Sequence, residues 1–157
     1  MTDPTWVVPP DDAAVVAGLG RSFADLFGGE PDGVWAAPGR VNLIGEHTDY
    51  NGGWCLPLAL PHRTYAAVRH RGDGHLRVAS RQMSGLGYDG PVSGVRPGDP
   101  GGWVAYLAGV VAILAERAGP DRCGVDVLVV GRVPLGAGLS SSAALSCSVA
   151  VALRDVV

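Results

Sequence analysis

Ala37-Pro-Gly-Arg-Val-Asn-Leu-Ile-Gly-Glu-His-Thr-Asp-Tyr-Asn-Gly-Gly53 crowds Arg40, Asn42, Glu46, His47, Asp49, Tyr50 and Asn51 between glycines, in a chain only 17% charged. Arg40-Val-Asn-Leu43 alternates polar and apolar, which predicts a half-buried strand. Gly45 permits a sharp bend, and Asn51-Gly52-Gly53 is a second turn signal. Between the bends, Glu46 and Asp49 stand three apart, so one helical turn aims both carboxylates at one spot. A polyol suits such a bend, because sugar hydroxyls need ionised carboxylates as acceptors and His, Asn or Arg as donors. The alternative is a polar loop whose Asp and Asn hold only its own backbone. Arg40, Glu46 and His47 in the same run favour a ligand.

Upstream, Pro9-Pro10-Asp11-Asp12 signals a helix start. Val16, Leu19, Phe23 and Leu26 follow at helical spacing, and Gly28-Gly29 signals the stop. Val34–Ala37 predicts a short strand feeding the bend. Downstream, Trp54–Leu60 and Thr64–Val68 read as two strand segments. Gly72-Asp73-Gly74 turns the chain into His75–Ser80, an expected hairpin partner with one wet face. Residues 84–102 predict a loop with at most one short strand. Trp103 to Arg117 predicts a helix with Trp103, Tyr106, Leu107, Val110, Val111 and Leu114 on its apolar side. Gly124–Val130 is the most strand-like run in the chain.

A second polar site follows that strand. Val133-Pro-Leu-Gly-Ala-Gly-Leu-Ser-Ser-Ser-Ala143 is a glycine-rich turn leading into an alanine-rich helix, roughly Ser141 to Val157. Gly136 and Gly138 let backbone N–H groups approach a ligand, and the helix N-terminus adds unpaired donors and partial positive charge. Three serines offer hydroxyls to phosphate oxygens or a metal ion. A Walker loop would need a lysine here, the dinucleotide fingerprint a glycine at 141, and a hydrolase elbow a glycine at 142. A serine-rich helix cap remains the plainer alternative.

Composition narrows the classes. The 157 residues make one domain, and no apolar run is long enough to span a bilayer. A formal charge of −3 argues against a nucleic-acid partner. Met1–Trp6 has neither a basic nor an apolar signal region. Cys55, Cys123 and Cys147 are odd in number and widely spaced. They are expected as reduced, mostly buried thiols of a cytoplasmic protein.

Gly39 to Gly53 resembles the galactokinase signature, and Pro134 to Ala143 resembles the Pro-x-x-x-Gly-Leu-Ser-Ser-Ser-Ala phosphate motif of the wider GHMP small-molecule kinases. The resemblance covers essentially the whole chain, as the N-terminal portion of such an enzyme. It implies an α+β fold: a mixed sheet with helices on one side, a left-handed β-α-β crossing at the phosphate loop, and a C-terminal domain absent from residues 1–157. It implies transfer of the ATP γ-phosphoryl group to the C1 hydroxyl of galactose, giving galactose 1-phosphate. Glu46, His47 and Asp49 are then expected to bind sugar hydroxyls, and Arg40 to stabilise the transferring phosphate. Gly136, Gly138, Ser140 and Ser141 would hold ATP, with Ser142 on Mg²⁺, and Trp103 and Tyr106 would lie near the adenine or, since both fit the apolar helix face, pack in the core.

The family's aspartate base, the glutamate completing its magnesium site and a third glycine-rich motif have no counterpart before Val157. A truncated chain with little activity of its own and poor solubility is therefore expected. Ser146 also stands where many relatives have Glu. The competing readings are a kinase for N-acetylgalactosamine or another GHMP substrate, and a non-catalytic sensor of galactose and ATP. The expected partners are galactose, Mg·ATP and the enzyme's own C-terminal half, with no membrane and no nucleic acid.

Overall fold

In the computed structural model, which describes residues 8–157, the chain forms α1 (Asp12–Phe27), β1 (Gly33–Ile44), β2 (Leu56–Arg71), β3 (His75–Ser80), β4 (Leu86–Pro91), α2 (Val104–Ala118), β5 (Gly124–Gly131) and α3 (Ser141–Val156). The side chain of Asp49 and the N-terminal stretch read for an export signal lie outside the described residues. One five-stranded sheet has the order β1-β2-β5-β3-β4. β3 and β5 run parallel and the other neighbours antiparallel, so the sheet is mixed and the class α+β.

β5 is central because it is apolar on both faces. Val125, Val127 and Val129 point into a core shared with α2 and α3, whereas Leu128 and Val130 pack with α1. A strand of this kind must be covered twice. The one-sided layering implied by the resemblance thus holds for α2 and α3 only, and α1 crosses the other face. β3 and β5 run parallel and are joined through β4 and α2, and the glycine–serine turn follows that crossover.

α1 begins where the Asp11 carboxylate accepts the Ala13 N–H at 3.1 Å, and ends where Gly28, at φ 71°, donates to the Ala24 carbonyl. Its buried stripe is Val15, Leu19, Phe23 and Phe27. Val16 and Leu26, expected inside, are 40% and 45% exposed. The stripe advances four residues at each step, which rotates those two positions away from the sheet. α2 is rotated in the same sense. It buries Val104, Leu107, Ala108 and Val111, and leaves Tyr106 half exposed.

β2 is one strand rather than two segments. It runs through Pro57 and Pro61, and Pro61 falls where the pairing with β1 shifts register between Pro38 and Arg40, so no ladder bond is lost there. The expected β2–β3 hairpin does not pair. β5 enters between the two strands, and its first residue, Gly124, sits in the mouth of the 72–74 turn. A Cβ there would lie 2.8 Å from the His75 nitrogen and 2.9 Å from the Arg71 oxygen. Residues 84–102 hold one strand, β4, as expected.

One charge lies inside this core. Asp126, on β5, is fully buried and accepts hydrogen bonds from Arg69 at 2.7 Å, Arg71 at 3.1 Å, and Arg77 at 2.6 and 2.9 Å. Burial alone would push its carboxyl up, but the bonds from Arg77 and Arg69 and the Arg77 and Arg71 charges together hold it below the usual range. Arg69 also donates to the Phe27 and Gly28 carbonyls, which ties the end of α1 to the sheet. On the opposite face, the Trp35 indole donates to Asp155 of α3 at 2.8 Å. Of the three thiols only Cys123 is buried; Cys55 is intermediate and Cys147 exposed, because position 147 falls on the outer side of α3. The expectation of mostly buried thiols is corrected accordingly.

Candidate active site

The segment from β5 to α3 is a turn of unusual backbone. Gly136, Gly138 and Ser140 take φ values of 72°, 69° and 58°, so every second residue of the turn is left-handed. Alternating hands of this kind swing successive backbone N–H groups toward one concavity. No protein atom lies within 4 Å of where a Cβ on either glycine would stand. Left-handed backbone, rather than crowding by the protein, accounts for glycine at both. Ser140 is the N-cap of α3 but makes no side-chain cap bond, so its hydroxyl is not consumed by the helix. The plainer reading of the serines as caps therefore fails at Ser140.

A cavity of about 550 Å³ opens beside the helix start. Ser141 and Ser142 line it together with Trp103, Tyr106, Thr64 and Gln82. Trp103 lies against Gly87, where any Cβ would stand 2.8 Å from the indole ring. Gln82 pairs its amide with both backbone groups of Gly131, at 2.8 and 2.9 Å, and so fixes one wall. Trp103 and Tyr106, left open between adenine pocket and core, thus face this cavity.

The bend after β1 has its own internal scaffold. Gly45 sits at φ 91°, where a Cβ would meet the Trp54 oxygen at 2.3 Å. The Thr48 hydroxyl lies within hydrogen-bond distance of both the Gly45 and Trp54 carbonyls, at 2.6 and 2.8 Å. Asn51 donates its amide to the His47 carbonyl at 2.7 Å, with His47 itself at φ 63°. Asn51 thus acts on the backbone, as the plainer loop reading has it. Glu46 and His47 are exposed and do not line the cavity. Residues 49–51 form a single 3₁₀ turn.

Strand alternation around Arg40 runs opposite to its polarity. Asn42 is buried, with both amide atoms unpaired, while Leu43 and Ile44 are 65% and 72% exposed. The irregular register between Asn42 and Ile44 displaces the usual in–out pattern.

The two polar segments touch. The Arg40 N–H donates to the Leu139 carbonyl at 3.1 Å, which stitches β1 to the glycine–serine turn. Gly39 allows the approach, since its Cβ would stand 2.9 Å from that oxygen. The Arg40 side chain is exposed and has no ion-pair partner among the described residues. Sequence reading missed the Leu139 carbonyl, the Gln82 clamp and Thr48. The first two join parts distant in sequence, and Thr48 stood inside the quoted stretch with only its hydroxyl as a signal.

Residues 21–70 match the galactokinase galactose-binding signature, and residues 105–157 match the GHMP kinases N terminal domain. Together these exceed half of the chain. It is 50% identical to a galactokinase of Streptomyces coelicolor over 143 residues, covering 91% of this chain and 37% of that relative. With a galactokinase of Bacillus subtilis it shares 42% over 136 residues, 85% of this chain and 35% of the other. The crystal structure of Lactococcus lactis galactokinase complexed with galactose superimposes with a TM-score of 0.74 at 34% identity, over 90% of this chain and 37% of that one. Methanococcus jannaschii mevalonate kinase, at 14% identity and a TM-score of 0.65, shares the fold. The chain thus spans little more than a third of the length of these galactokinases. Signatures on both polar segments and a common fold establish that it belongs to the GHMP kinases, a family that uses ATP, in their galactokinase branch.

Proposed function

We propose that these residues form the sugar-holding and phosphate-holding parts of a kinase that moves the γ-phosphoryl group of ATP onto the C1 hydroxyl of galactose. The observation that carries this reading is the Arg40–Leu139 hydrogen bond, which makes the sugar strand and the phosphate turn direct neighbours. Phosphoryl transfer is mostly positioning and charge stabilisation, so two pockets that share a wall suit it. Glu46 accepts hydrogen bonds from sugar hydroxyls, His47 donates or accepts through its ring, and Asp49 is assigned with them by resemblance. The turn N–H groups and the Ser140 and Ser141 hydroxyls hold triphosphate oxygens. The Arg40 guanidinium offsets charge building on the transferring phosphoryl group. Trp103 and Tyr106 offer aromatic surface to the base across the cavity.

Mg²⁺ fits in a limited way. Among the described residues no group of three or more His, Cys, Asp or Glu side chains converges as a cage. Ser142 lines the cavity and offers one oxygen to a cation carried mainly by phosphate oxygens and water, as magnesium prefers. When bound, the ion neutralises developing phosphate charge. The proton of the C1 hydroxyl passes to an aspartate that the resemblance places in the further length of the relatives. Three unpaired cysteines fit a cytoplasmic setting.

Crystals soaked with galactose and a non-hydrolysable ATP analogue test this. The sugar is expected against Glu46 and His47, with the triphosphate in the turn across Arg40. Ligands on opposite faces of the sheet would end the kinase reading. Titration with N-acetylgalactosamine, expected to bind more weakly than galactose, separates the two sugar readings.

A further inference from the structure

We infer that Tyr50 is a positioning residue that sets which nitrogen of His47 is offered to the sugar, an inference that rests on the sugar-binding role of His47 proposed above. The Tyr50 hydroxyl lies 2.5 Å from His47 Nδ1, and the two rings meet edge to face with centroids 5.8 Å apart at 76°. Tyr50 is 71% exposed, so this aromatic does little core packing, and its polar end accounts for it better than its ring.

A neutral imidazole has one N–H donor and one bare nitrogen, and the bond made by one nitrogen decides where the proton sits. The phenol is the stronger donor of the pair and the bare imidazole nitrogen the stronger acceptor. The Tyr50 O–H therefore donates to Nδ1, and the proton of His47 is kept on Nε2. Nε2, at the far end of the ring, then faces outward as a donor. It complements Glu46, which can only accept, so a sugar hydroxyl pair meets one donor and one acceptor.

The backbone supports the same purpose. His47 occupies a left-handed conformation that a β-substituted residue adopts at a cost, and Asn51 holds it there through the His47 carbonyl at 2.7 Å. With the backbone held by Asn51 and the ring by Tyr50, the imidazole has neither free rotation nor a free choice of tautomer before the sugar arrives. Such prior ordering lowers the entropy lost on binding.

The test uses histidine-selective ¹⁵N NMR on the 157-residue chain, at a pH where the ring is neutral, with galactose as the titrant. His47 of the unaltered chain is expected almost wholly as the Nε2–H tautomer, and Tyr50→Phe is expected to give a mixture. Galactose affinity of Tyr50→Phe is expected to fall about fivefold, the scale of one neutral hydrogen bond. A change in tautomer distinguishes this role from a merely structural one, because loosening the loop alone does not select a nitrogen. An unaltered tautomer ratio in Tyr50→Phe, or unaltered galactose affinity despite a mixed ratio, overturns the inference. The underlying sugar reading fails separately, if galactose leaves the His47 ring nitrogens of the unaltered chain undisturbed.

Discussion

Asp126 is cut off from solvent and held by guanidinium groups from two strands, so its charge is an asset only while it stays ionised. Its folded pKa is depressed. The associated stability is complete above the ordinary carboxylate value, about 3.9, and is lost as pH falls through the lower folded value. Circular dichroism against pH is expected to show acid unfolding that begins below about pH 4. Asp126→Asn is expected to cost about 3–5 kcal/mol at neutral pH and to flatten that acid limb. An unchanged limb in the variant would take Asp126 out of the acid transition. Ser140 gives the opposite case, in which local strain serves the site. Ser140→Gly relieves a left-handed residue and is expected to raise stability by about 1 kcal/mol while weakening Mg·ATP binding. Urea midpoints and calorimetry read the two effects separately. Gly138→Val works in the other direction: it strains the turn, projects methyls into the concavity, and is expected to abolish nucleotide heat without blocking folding.

Among the elements, the ones with a strong local signal were legible in the sequence. Helix α1 had its Asp11 cap and Gly28 stop, β5 its unbroken valines, and the phosphate turn its paired glycines. What failed was pairing and rotation, since neither is written in a single segment. Arg71-Gly-Asp-Gly-His75 looks like a hairpin turn, and nothing local announces that a strand 50 residues on will slide into it. Arg69, Arg71 and Arg77 were equally legible as solvated charges until Asp126 was placed among them. Gly124→Ala tests the insertion directly. Its Cβ would press on three backbone atoms of the turn, which are less able to yield than a side-chain tip, and a loss of about 1–3 kcal/mol in urea unfolding is expected. A variant as stable as the original would mean the turn has room to spare.

At the scale of the whole molecule, the outer end of the β1–β2 ribbon differs from the rest. Leu43, Ile44, Trp54, Leu56 and Leu58 are each at least half exposed, and β1 is an edge strand. An edge with this much apolar surface invites pairing with another chain. Light scattering of the 157-residue chain is expected to rise with concentration, and the double change Leu43→Lys with Ile44→Lys to suppress it. Scattering indifferent to those charges would locate the association elsewhere. The candidate site was partly legible at this scale: both polar segments could be read, but not the peptide bond-to-peptide bond contact between them, which depends on how β1 passes the start of α3.

That contact, from the Arg40 amide to the Leu139 oxygen, carries a thermodynamic consequence. Under the proposed roles, a nucleotide that tightens the glycine turn is expected to pull on the strand leading to the sugar bend, and calorimetric titration of galactose with and without Mg·ATP reads the change in dissociation constant. Linkage requires the factor to be identical whichever ligand is added first.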